Sequence, residues 1–201
     1  AITFGAETTF PGGPAGQNLA EAEIKFHPTT PNLFGIVSAN SSGPWINFGT
    51  VSGTVITAVD SGTVLKGEGM WEQSGKIDFD WDDKWTGSGN RFCAAYTLND
   101  QMSMEVKETW CRAGTVDNSG ASFSLGSPAA STGTWMNGQY PQYGHMPFRF
   151  DPNTEGKFIV TYIKDGNSQP AAKIGTMDSS HNITFGNETE IYSLKLIDKG
   201  V

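Results

Sequence analysis

Basic residues are scarce in this chain: Lys and Arg number 13 against 21 Asp and Glu, which gives a formal charge of −8 and a pI near 4.8. Phosphate binding depends on clustered cations, so nucleic acid and anionic membrane surfaces are poor partners, and an uncharged or cationic one fits better. Apolar runs are short. None reaches the roughly 18 residues of a membrane-spanning helix, so no membrane insertion is expected, and no charged-then-apolar leader is retained. Helical periodicity over three turns, low-complexity linkers and charge-run boundaries are all missing, so residues 1–201 are read as one domain. The three histidines, His27, His145 and His181, match no metal spacing, and no Gly-x-Ser-x-Gly elbow is present. No metal and no cofactor is expected.

What is present is strand-like. Alternation with a period of two runs through Ala20–Phe26, Ile77–Asp82, Met102–Lys107, Met146–Phe150 and Lys157–Lys164, with a closing run at Ile191–Ile197. Turn residues separate these runs, as in Asp60-Ser61-Gly62, Asp117-Asn118-Ser119-Gly120 and Lys164-Asp165-Gly166-Asn167. With 25 Gly and 23 aromatics (Trp 6, Tyr 5, Phe 12), the pattern predicts an all-β fold, a single antiparallel β-sandwich of immunoglobulin-like or jelly-roll type.

There are only two cysteines. Cys93 and Cys111 stand at the ends of strand-like runs on either side of one intervening turn, so adjacent strands are expected to bring them within bridging reach. A chain starting at Ala1 rather than Met is read as exported, secreted or surface-displayed, which favours a disulfide over two buried thiols. Closing a loop of roughly 20 residues would contribute about 3 kcal/mol in the chain-entropy account.

Two loops carry the inventory of a glycan site. Sugar rings offer an apolar face bordered by hydroxyls, which calls for aromatic platforms flanked by carboxylates and amides. The segment Trp135–His145 supplies Trp135, Asn137, Gln139, Tyr140, Tyr143 and His145; the segment Trp81–Asn90 supplies Asp82, Asp83, Trp85 and Asn90. Structural roles compete: Trp81 and Trp85 also suit the core or its rim, and the tyrosines could simply anchor their loop.

Asp78, Asp80, Asp82 and Asp83 form the densest acidic cluster. A helix-loop-helix calcium site is excluded, because Asp83 stands where Gly is needed and Gly89 where a bidentate Glu is needed. On a strand the first three would share one face, and a solvated face is the expectation. Glycoside hydrolysis requires two facing carboxylates. Glu68, Glu72, Glu105 and Glu108 lie in or beside strands, but no motif selects a pair. The three Asn-x-Ser/Thr triplets, at Asn40, Asn182 and Asn187, are no more than this composition supplies by chance.

The start Ala1-Ile2-Thr3-Phe4, the pairs Phe92-Cys93 and Trp110-Cys111, and the size and strand-rich pattern resemble the N-terminal lectin domain of bacterial chaperone–usher fimbrial tip adhesins, in particular the N-acetylglucosamine-binding group. That resemblance implies a sandwich with a shallow glycan pocket in its loops, no cofactor, and a following pilin domain joined by donor-strand pairing, for which 201 residues leave no room. In that group the cysteines stand much farther apart, so no sugar-contacting residue is carried over. The leading expectation is a lectin-like adhesin domain binding a glycan or glycoprotein receptor without catalysis. A carbohydrate-active enzyme on a jelly roll comes second, and a protein-interaction or structural domain third.

Overall fold

The computed structural model describes residues 5–8, 21–40, 43–58, 62–65, 73–99, 106–131, 148–163 and 170–191. Among them every regular element is a strand and every pairing is antiparallel. Sheet A has the order β1 (Glu21–Phe26), β2 (Leu33–Asn40), β3 (Gly43–Ser52), β4 (Val55–Ala58), with β5 (Thr63–Val64) also on β3. Sheet B begins at one edge with β6 (Gln73–Trp81), followed by β7 (Asn90–Asn99) and β8 (Val106–Val116); β9 (Phe123–Leu125) and β10 (Ala129–Ala130) both pair with β8. Sheet C is β11 (Phe148–Phe150), β12 (Lys157–Ile163), β13 (Pro170–Met177) and β14 (Ile183–Glu190).

Strand alternation explains the layering. Phe92, Ala94, Tyr96 and Leu98 of β7 enter a core with Leu33, Val37, Ile46 and Phe48 of sheet A. Cys93 and Ala95 of the same strand, with Cys111 and Ala113 of β8, enter a second core with Phe148, Phe158 and Val160 of sheet C. Sheet B is therefore buried on both faces, which is why Phe92-Cys93-Ala94-Ala95-Tyr96 reads as an unbroken apolar run. The expected all-β antiparallel sandwich is the fold, and sheet C adds a further layer behind it. Each fully buried Phe contributes about 1.5–3 kcal/mol, and the rings interlock: Phe48 lies 4.9 Å from Phe92, and Phe148 lies 4.9 Å from Phe158, between centroids.

The acidic stripe is not a solvated face. Ile77, Phe79 and Trp81 of β6 point into the A–B core, so Asp78, Asp80 and, just past the strand, Asp82 point towards sheet C. There they accept main-chain N–H groups: Phe148 N to Asp78 Oδ2 at 3.1 Å, Phe150 N to Asp80 Oδ2 at 3.1 Å, and Gly156 N to Asp82 Oδ2 at 2.8 Å. Three carboxylates on and just after β6 thus satisfy the edge of β11 that has no strand partner among the described residues, together with the loop after it. Gly156 has φ +69, and a Cβ there would stand 2.5 Å from the Met177 carbonyl, so this donor position requires glycine.

Two other expectations are corrected. In β1 the apolar side chains face outward, leaving Ile24 54% and Phe26 58% exposed, while Glu23 and Lys25 are half-buried. Lys25 turns inward because β6 offers it the Asp78 carboxylate at 2.5 Å and the Phe79 carbonyl. Cys93 and Cys111 are free, buried thiols and form no disulfide. They do lie on adjacent strands, but Cys93 faces Ala113 and Cys111 faces Ala95. The pair is thus diagonal rather than directly opposed, and the two side chains meet as hydrogen-bonded thiols. Burial, reinforced by the neighbouring Cys111 sulfur, pushes the Cys93 thiol well above its usual range.

Candidate functional site: a cleft at the end of β6

Where β6 ends, three segments distant in sequence enclose a cleft of about 440 Å³. The end of β1 supplies Lys25, Phe26 and Pro28; the end of β6 supplies Asp80, Trp81 and Asp83; the end of β11 supplies Phe150 and Pro152. The apolar walls are rings. Phe26 is the open one, while Phe150 and Trp81 are largely covered.

The carboxylates are held differently. Asp80 is half-buried on the strand, and burial raises its carboxyl above the usual range despite the Phe150 N–H and the charges of Lys25 and Arg149. Asp83 is exposed on the turn after β6, with Lys84 Nζ at 3.6 Å. Two cations converge on Asp78 behind the cleft: Lys25 on Oδ1 at 2.5 Å and Arg149 on Oδ2 at 2.8 Å.

His27 supports the floor without lining it. Its ring meets Trp81 edge-on at 4.8 Å, and its Nδ1 accepts from Thr30 N at 2.8 Å and Thr29 N at 3.2 Å. Those two donors place the remaining proton of the neutral ring on Nε2. Burial lowers the His27 pKa, against the opposing pull of Asp83. Trp81 is fixed from its other end, where Nε1 donates to the Lys25 carbonyl at 3.1 Å.

Of the residues singled out from the sequence, Asp83 reaches this cleft. Asp82, Trp85 and Asn90 have partners inside the protein. Asp82 receives Arg91 Nε at 2.9 Å and NH2 at 2.5 Å; the guanidinium carbon lies 4.0 Å above the Trp85 ring. Trp85 Nε1 donates to the Ser88 carbonyl at 3.2 Å. Asn90 donates to the Val116 carbonyl at 3.1 Å and to Asn118 at 3.0 Å, and its own oxygen receives the Thr30 hydroxyl at 2.5 Å. Trp135, Asn137, Gln139, Tyr140, Tyr143 and His145 lie outside the described residues, as do Glu68, Glu72, Glu105 and the side chain of Glu108.

Lys25, Phe26, Pro28, Asp80, Phe150 and Pro152 line the cleft without having been proposed as glycan ligands from the sequence. Asp80 carried a signal in its place on the acidic stripe. Phe26 carried none, because alternation in β1 assigns its ring to the core. No family model matches the chain, and searches of curated proteins and of solved structures find none similar to it.

Proposed function

We propose that this chain is a carbohydrate-binding β domain, a lectin-like module displayed outside the cell, that holds a glycan or glycoprotein receptor in the cleft beside Phe26 without chemistry. The observation that carries the reading is an exposed aromatic ring, 58% accessible, set beside two carboxylates and two prolines in a cleft of about 440 Å³. The apolar face of a pyranose stacks on such a ring, and its hydroxyls donate to carboxylates, so the same walls recognise both sides of its chemistry. An adhesin role of the kind implied by the fimbrial resemblance belongs to the same proposal, and the all-β frame supports it.

The test is Phe26→Ala on a glycan array. Phe26 is exposed, so the variant should keep its melting temperature and lose about tenfold or more in affinity, the loss of one stacking contact of ~1.4 kcal/mol. Unchanged binding would remove the cleft from the account.

One observation favours a hydrolytic second reading. Asp80, with its raised carboxyl, shares the cleft with the exposed Asp83. In glycoside hydrolysis the first would protonate the leaving oxygen and the second activate water, adding water across the bond. Mass spectrometry of a bound glycan separates the two: an intact sugar supports the lectin, shortened products the hydrolase.

A further inference from the structure

Charge around the cleft bears on which glycans it admits, given the binding role proposed above. Lys25 is the cation in the cleft wall, and it is already committed: its Nζ meets Asp78 Oδ1 at 2.5 Å and also donates to the Phe79 carbonyl. Arg149, on β11, is taken up by Asp78 Oδ2 at 2.8 Å and by its neighbour's carbonyl, Phe148 O, at 2.5 Å. Lys84 lies beside Asp83 on the exposed turn at 3.6 Å, and His27 under the floor offers Nδ1 as an acceptor rather than a charge. Asp78 is buried and already saturated by donors from β1 and β11. Among the described residues that line the cleft, the charged side chains other than the paired Lys25 are Asp80 and Asp83.

We infer that the cleft selects glycans presenting hydroxyl, amide or amine donors and rejects those carrying carboxylate or sulfate groups. An acidic sugar placed on Phe26 would bring its charge towards two carboxylates. To gain the cation of the cleft wall it would have to strip Lys25 from the buried Asp78, leaving that carboxylate short of a partner. A neutral sugar meets acceptors only, and an amine-bearing sugar gains a charge-assisted hydrogen bond. The chain's formal charge of −8 adds a longer-range repulsion of the same sign.

The experiment is a printed array holding neutral oligosaccharides beside their amine-bearing, sialylated, uronate-containing and sulfated counterparts, probed at pH 7 with wild type, Asp83→Asn and Asp83→Lys. Asp83 sits on an exposed turn, so each variant should keep the wild-type circular dichroism spectrum, which is the check on folding. Wild type should bind neutral or amine-bearing members at least tenfold more strongly than acidic counterparts of the same backbone. Asp83→Asn should narrow that ratio, and Asp83→Lys should raise binding of the acidic members by tenfold or more. Acidic glycans bound as strongly as their neutral parents by wild type, or a ratio unmoved by Asp83→Lys, would overturn the inference while leaving glycan binding intact. Wild type that binds no member would overturn the glycan reading itself, and this inference with it.

Discussion

Arg91 and Asp82 form a buried ion pair in which Nε and NH2 both donate to one oxygen, Oδ2, at 2.9 and 2.5 Å, with side-chain exposures of 1% and 0%. The same oxygen takes the Gly156 N–H, and Arg91 NH2 stands 3.7 Å from Glu155. The pair therefore ties the end of sheet B to the β11–β12 loop of sheet C. Breaking a buried pair by removing one partner leaves an uncompensated charge, which typically costs about 3–5 kcal/mol. Arg91→Ala should destabilise the protein by that amount in urea unfolding. A loss below about 1 kcal/mol would mean that water reaches the pair.

Cys93 and Cys111 should behave as two inert thiols. Both are buried out of reach of reagents, and burial of Cys93 also disfavours the thiolate that reacts. A thiol reagent should modify both cysteines in denaturant, and the native protein roughly a hundredfold more slowly or not at all. Denatured protein with no titratable thiol, prepared without reductant, would show that the pair is oxidised.

His27 should titrate below the usual histidine range. Burial lowers its pKa, and burial likewise lowers that of His181, where the Arg91 charge adds to the effect. The folded state therefore binds fewer protons than the unfolded chain as pH falls below about 6.5. Stability should be highest above that value and decline as pH drops towards the folded pKa values. Histidine NMR shifts followed against pH check the order. His27 should also show the Nε2–H tautomer that its Nδ1 contacts impose, and a midpoint above 6.5 would contradict the assignment.

Much of the fold was legible because strand alternation is a local signal. Ile77 to Trp81 places its apolar residues in a core, as its period predicts, and the turn at Asp117–Gly120 closes where its residues indicate, with Asp117 Oδ1 accepting from Ser119 N at 2.9 Å. The partner across an interface is not local. That Asp78, Asp80 and Asp82 would each accept a backbone N–H from a segment some 70 residues away could not be read from their own neighbourhood, where a run of aspartates on a strand looks like a wetted face. The reversal of β1 has the same origin. Lys25 is drawn inward by a carboxylate 53 positions later, and Phe26 is thereby turned out to make the open wall of the cleft. Asn90 and Trp85 resembled sugar ligands because amides and indoles serve both roles. Only the positions of Val116, Asn118 and Ser88 show that their polar groups are already used.

The central claim is that the cleft between β1, β6 and β11 is where a glycan sits. The most direct measurement is titration of isotope-labelled protein with an array-selected oligosaccharide, followed by amide and aromatic NMR shifts. The account predicts saturable changes centred on Phe26, Asp80, Asp83 and Phe150, absent in Phe26→Ala. Saturable changes confined to Trp135–His145, with the cleft residues unmoved, would contradict it and return the site to the loop that the sequence first singled out.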